Sequence, residues 1–267
     1  MKPFPSSKGL WFGLLFACLA AAAAANEDAS WKSPQFLVDG FVELALKHDY
    51  STRQNPVRKW TSPVRYFIVH GVGDKDLHRE LIDAHFRHLA EITGLSIQPV
   101  DTRAAANFLV LLASKAALES EVPRHFGSGP MSRNTMLFRH GQCLATFATE
   151  RRGRIVRATT MIPVDAARAR ADLASCVVEE LTHAMGLGND TVQPLPSIFS
   201  RKFNGAFLSG LDHLVLKMLY DPRVKPGMNE KTALPVLKAI AAEYERDGLF
   251  ATADSDAAKN GLARLMP

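Results

Sequence analysis

Cysteine is scarce in this chain, with three residues in 267. That excludes a small scaffold held by many disulfides. No G-x-x-x-x-G-K-[ST] phosphate loop occurs. The Gly71-Val72-Gly73 pair lacks the third glycine of a dinucleotide fingerprint, so a nucleotide site is not expected. Basic residues are scattered, and no block interleaves them with aromatics, so nucleic acid is not an expected partner. Beyond residue 25 no apolar run is long enough for a membrane helix. Charged residues make up 22% and apolar residues 47%, which excludes global disorder and supports a sizeable core.

The apolar run that does exist lies at the start. A lysine-bearing segment, Met1 to Lys8, precedes Gly9 to Ala25, which ends in consecutive alanines. This is the pattern of a secretory signal peptide over residues 1–25, with cleavage expected after Ala25. An uncleaved anchor, or a lipoprotein attached at Cys18, are the alternatives. Removing Lys2 and Lys8 leaves 30 basic against 27 acidic residues, a net charge of +3. The expected product is extracytoplasmic, either periplasmic or secreted. Cys143 and Cys176 then remain, and an oxidising compartment favours a disulfide between them. Closing a loop of about 33 residues would stabilise the fold by roughly 3–4 kcal/mol in the chain-entropy picture. Two buried thiols are the alternative.

Apolar spacing predicts a helix over 34–48, within an N-terminal helical extension of residues 26–60. A domain over 61–250 and a frayed tail over 251–267 would follow. Strands are expected at 65–70, 95–100, 107–113, 136–149 and 154–164, the last two joined by a turn at Arg151-Arg152-Gly153. Asp74 is placed to cap a helix reaching Thr93, with Leu77, Leu81, Ile82, Phe86 and Leu89 inward and Gly94 as its stop. A long helix is expected from Ala166 to Leu187, a loop to Asn204, and helices at 208–220 and 231–246. One mixed sheet flanked by helices accounts for this order.

The chemistry-bearing stretch is Glu179-Glu180-Leu181-Thr182-His183-Ala184-Met185-Gly186-Leu187-Gly188-Asn189-Asp190. Positions i and i+4 share a helix face, so Glu179 and His183 project together. H-E-x-x-H motifs use this spacing to set two metal ligands around a general base. Glu179 stands where the first histidine would be, and Glu180 where the proton-accepting glutamate would be. Gly186 has the spacing of a turn that leads the chain back to the metal. Asn189 falls at the expected third-ligand position but is a poor zinc ligand, and Asp190 lies one residue later. Glu179, His183 and Asp190 are therefore the candidate metal ligands, and Glu180 the candidate catalytic base. Cys176, three residues before Glu179, is an alternative ligand if it is not oxidised.

The sequence from Gly186 through Ser197-Ile198-Phe199 to Leu208-Ser209, Asp212 and Leu219-Tyr220 resembles the metzincin metallopeptidases. That resemblance implies an α+β zincin-like fold: a mostly parallel mixed sheet, an active-site helix, an irregular turn and a closing C-terminal helix. It also implies that Ser197 and Phe199 support the site, with Phe199 standing where the clan places methionine. The chain is more closely similar to a family of secreted bacterial proteins, domain of unknown function 2927, over residues 36 to 240. Arg58-Lys59-Trp60-x-x-Pro63-Val64, Cys176-x-x-Glu179-Glu180-Leu181-Thr182, Gly186-Leu187-x-Asn189-Asp190, Ser197-Ile198-Phe199 and Leu219-Tyr220-Asp221-Pro222-Arg223 carry that similarity. The family usually has glutamine where this chain has His183, which implies a metal-poor site in most members.

Three functions stand open at this level. One is a divergent zinc-dependent hydrolase acting on a peptide along an edge strand. Another is a non-catalytic module that binds a peptide or an envelope protein, with Glu179, Glu180 and His183 serving as hydrogen-bonding and ion-pairing groups. The third is acid–base chemistry by Glu179 and Glu180. Among the other residues, His78 and His85 are expected to be solvated, Asp212 to act as a helix cap, and Trp60 and Phe199 to pack in the core.

Overall fold

A computed structural model describes residues 31–47, 54–126, 138 and 140–265. The expected leader and part of the expected 136–149 strand lie outside these residues. The elements, in chain order, are α1 (Pro34–Phe41), β1 (Lys59–Trp60), β2 (Val64–His70), α2 (Lys75–Thr93), β3 (Ile97–Pro99) and β4 (Phe108–Ala113). Then come α3 (Lys115–Glu119), α4 (Val122–Phe126), β5 (Leu144–Thr149), β6 (Arg154–Pro163), α5 (Val164–Ala169) and α6 (Leu173–His183). The chain continues with α7 (Gly210–Tyr220), α8 (Glu230–Arg246) and α9 (Leu249–Lys259).

The fold is mixed α/β with a mostly parallel sheet. Strand order is β1-β6-β4-β2-β3, all parallel, and β5 joins β6 antiparallel at the edge. The β5–β6 pair is the expected hairpin, turning through Arg152 and Gly153 at positive φ.

Both faces of the sheet are covered, and β4 shows why its sequence is apolar throughout. Phe108, Val110 and Leu112 point into the main core. Leu109, Leu111 and Ala113 face a second cluster with Leu118, Val122, Phe138, Leu144 and Met161. Side chains alternate across a strand, so a central strand buried on both sides reads as one continuous run.

Several expectations are corrected. The predicted 166–187 helix is two helices, because Ala171 adopts φ +60° and Asp172 starts α6 anew. Asp74 precedes α2, but its side chain makes no cap; it pairs with Arg168 at 2.7 Å instead. Leu77 is 45% exposed, whereas His78 and His85, expected to be solvated, are each 1% exposed. The inward stripe of α2 is wider than its apolar residues alone suggest. Residues 251–259, expected within a frayed tail, belong to α9, whose Phe250, Ala253 and Ala257 are buried. α1 packs on the body: Leu37, Val38 and Phe41 belong to the main core. Gly94 stops α2 at φ +70° as expected.

A carboxylate–histidine–carboxylate cluster in a cleft

The site is built at the exit of α6. The last turns of a helix leave carbonyls without partners. Here Trp60 Nε1 donates to Ala184 O at 2.9 Å and Tyr220 Oη donates to Met185 O at 2.8 Å. Trp60 is 1% exposed, as its expected packing role requires. Lys59 does the same for α7, donating to Leu219 O at 2.9 Å and Asp221 O at 3.1 Å. Burial, then the nearby Lys225, lowers the Lys59 pKa to about 8, while Asp221 partly offsets them. Gly186 then turns the chain at φ +117°, where its bare Cα packs directly against the Arg58 carbonyl.

The returning loop brings Asp190 back over α6. His183 Nε2 lies 2.9 Å from Asp190 Oδ1. One ligand-type atom each from Glu179, His183 and Asp190 falls within 4.8 Å of the others. The three expected ligands are thus brought together. Asn189, one residue earlier, faces elsewhere: its Nδ2 donates to Glu43 O at 2.8 Å. Thr191 Oγ1 donates to Glu43 Oε1 at 2.6 Å. Glu43 lies in a short π-helical turn, Val42–Leu46, that extends α1. Two bonds to Glu43 therefore flank Asp190 and fix its approach. Sequence reading missed Glu43, since an acidic residue at the end of an amphipathic helix carries no local mark of this role.

Beneath the imidazole, Phe199 packs with ring centroids 4.3 Å apart. Its turn is held by Asp212, which is fully buried. Ser197 Oγ donates to Asp212 Oδ1 at 2.6 Å, and Ile198 N to Oδ2 at 3.1 Å. Asp212 also forms a capping box with Ser209 at the start of α7. One carboxylate thus ties the turn under His183 to the closing helix.

A cavity of about 790 Å³ opens over this cluster. Glu179, Glu180, His183, Asp190 and Phe199 line it from one side, and Leu144 to Phe147 of β5 from another. The Cys143–Cys176 disulfide is formed, with Cα atoms 5.9 Å apart, and joins the two walls. Cys176 is therefore not available as a thiolate ligand.

Electrostatics follow from this enclosure. Burial raises the Glu179 pKa to about 7, His183 pulls it down, and Asp190 and Asp172 push it up. Burial and then the Glu179 charge raise Glu180 well above the usual carboxylate range. Burial disfavours the His183 charge, but the hydrogen bond and charge of Asp190, with Glu180 and Glu179, outweigh it and raise the pKa to about 10. These neighbours favour the charged imidazole, paired with Asp190, when no metal is bound.

The donor set fits a divalent metal. His183 Nδ1 lies 2.5 Å from Leu187 O, so Nδ1 carries a proton and Nε2 faces the carboxylates. That is the arrangement in which a backbone carbonyl orients a ligating imidazole. Two carboxylates and a neutral imidazole around a dication sum to zero charge, which suits a half-buried site.

Fold and site together define an α/β protein with a three-residue candidate metal cluster in an open cleft. The chain belongs to the family described as "Protein of unknown function (DUF2927)", whose profile matches residues 34–239. That span begins at α1, includes the π-helical turn that holds Glu43, and ends within α8. No curated protein matches the chain.

Proposed function

We propose that the protein is an exported, zincin-like, zinc-dependent peptide hydrolase. The convergence of Glu179, His183 and Asp190 within 4.8 Å is the observation that carries this reading. The edge position of antiparallel β5 along the cavity adds support, since an extended peptide can pair with such a strand. When bound, zinc polarises a carbonyl and acidifies water. Glu179, His183 and Asp190 would hold it, and Leu187 O would keep the imidazole in its ligating tautomer. Glu180, next to the first ligand and lining the cavity, would accept a proton from water and deliver it to the leaving amine. Its enclosure suits that second duty, because burial favours the protonated carboxyl. The disulfide and the absence of a membrane-length apolar helix among the described residues fit an extracytoplasmic location.

A second reading rests on the His183–Asp190 contact at 2.9 Å, which closes the cluster as an ion pair without a metal. In that reading the cleft binds a peptide or envelope protein without cleaving it. A peptide-library digest with and without zinc separates the two. The hydrolase reading expects zinc-dependent cleavage that falls at least about 100-fold in Glu180→Gln. Absence of cleavage in zinc-loaded protein overturns it in favour of the binding module.

A further inference from the structure

Arg58 is the residue of the Arg58-Lys59-Trp60 run whose side chain caps no helix. Its backbone is held against Gly186. Its guanidinium lies over the Phe147 ring, with Cζ 4.9 Å from the centroid. Gly188 presses on it from a third side: a Cβ there would sit 3.2 Å from Nη2. The side chain is therefore fixed in the wall of the cavity that holds the Glu179, His183 and Asp190 cluster.

Held in this way, the guanidinium has nothing polar to bond. Among the described residues it makes no hydrogen bond and no ion pair, and its Nε is buried without a partner. Burial lowers its pKa to about 10. The other arginines of the cleft differ. Arg170 pairs with Asp172 at 2.7 Å, and Arg201 is also partnered. A half-buried guanidinium with unused donors is costly unless a ligand completes it. Its planar fork matches a carboxylate in two parallel hydrogen bonds.

The cavity thus presents an open cation and a separate acidic cluster with an imidazole. A ligand that satisfies both carries a carboxylate close to a carbonyl that can face the acidic cluster. The end of a peptide has this chemistry: a terminal carboxylate, and one residue back a peptide carbonyl. We propose that Arg58 receives the terminal carboxylate of a peptide, so that the cleft takes chain ends in preference to chain interiors. The assignment rests on the peptide-binding part of the proposed function and not on the metal.

The test is calorimetric titration of the purified protein with N-acetyl-trialanine, its C-terminal amide and inorganic phosphate, in EDTA and again with zinc. Alanine side chains are too small to add a specificity of their own. The acid is expected to bind at least tenfold more tightly than the amide. Arg58→Met is expected to erase that difference, and Arg58→Lys to retain only part of it. The acid–amide comparison in the native protein needs no variant, so it stands even if Arg58→Met fails to fold. Equal binding of acid and amide, or binding of neither, overturns the proposal. Arg58-dependent phosphate binding as tight as that of the acid also overturns it, since the site would then serve a free oxyanion. If the acid is preferred but zinc never binds, the chain-end site stands and the hydrolase reading fails.

Discussion

The carbonyl of Arg58 occupies the space that a side chain at Gly186 would need. Sequence spacing suggested this glycine as a turn toward a metal. The structure gives it a more specific task, which is to let the strand-leading segment pack against the exit of α6 at φ +117°. Gly186→Ala is therefore expected to destabilise the fold by about 2–4 kcal/mol, through backbone strain and overlap together. Urea unfolding checks this, and a variant within 0.5 kcal/mol of the parent would contradict it.

Asn189 was the spacing-expected third ligand, and it acts instead through Glu43. Removing its bond to Glu43 O with Asn189→Ala should loosen the loop that presents Asp190. The expected result is a zinc affinity lower by about 10–100-fold with the fold retained. Competition titration with a chromophoric chelator measures it. Unchanged affinity would show that Thr191 and the loop backbone suffice.

The disulfide joins the lead-in of β5 to α6 across a sequence separation of 33. The double variant Cys143→Ser, Cys176→Ser is expected to lose roughly 3–4 kcal/mol in urea. A loss below about 1 kcal/mol would mean that the cleft walls are held by packing alone.

Acid sensitivity should come from α2. His85 Nε2 lies 2.9 Å from Thr182 Oγ1, which itself donates to Val178 O, so His85 Nε2 is the donor. Burial and the neighbouring His88 lower the His85 pKa to about 3. Burial and His213 lower His88 to about 4, with Glu91 opposing them. A histidine whose folded pKa is depressed binds fewer protons than the unfolded chain. Its contribution is present above the ordinary value of 6.5 and is lost as pH falls through that value toward 4. For His88 this is on the order of 3 kcal/mol. Glu179, whose pKa is raised, acts in the opposite direction over the same range, so the comparison must be made against a variant. Stability of His88→Leu should fall less between pH 6.5 and 4.5 than that of the parent. Parallel curves would contradict the assignment.

Much of this was legible in the sequence, for identifiable reasons. Glycine at a left-handed helix stop, the turn before β6 and the doubly buried β4 each carry local signatures. So does the i, i+4 pair of Glu179 and His183, because helix geometry alone puts them on one face. Asp190 was named as a candidate ligand although it lies one residue past the position that spacing favours, and the structure brings it to His183. The break at Ala171 was missed, because alanine carries no local mark of the φ +60° backbone it adopts there. The buried histidines of α2 were missed because polarity was read as exposure; here they share the inward face with Ile82, Phe86 and Leu89. Glu43 and Arg58 were not legible as site residues. Each reaches the cleft through contacts more than 80 residues away along the chain, to Asn189, Thr191, Phe147 and Gly186.

The central claim is that Glu179, His183 and Asp190 form a metal site. Zinc titration of chelator-stripped protein at pH 7.5, with His183→Ala and Asp190→Asn alongside, tests it most directly. The account predicts one zinc per chain, proton release on binding as the imidazole gives up its charge, and loss of binding in both variants. No zinc bound by the parent, or equal binding by parent and His183→Ala, would contradict it.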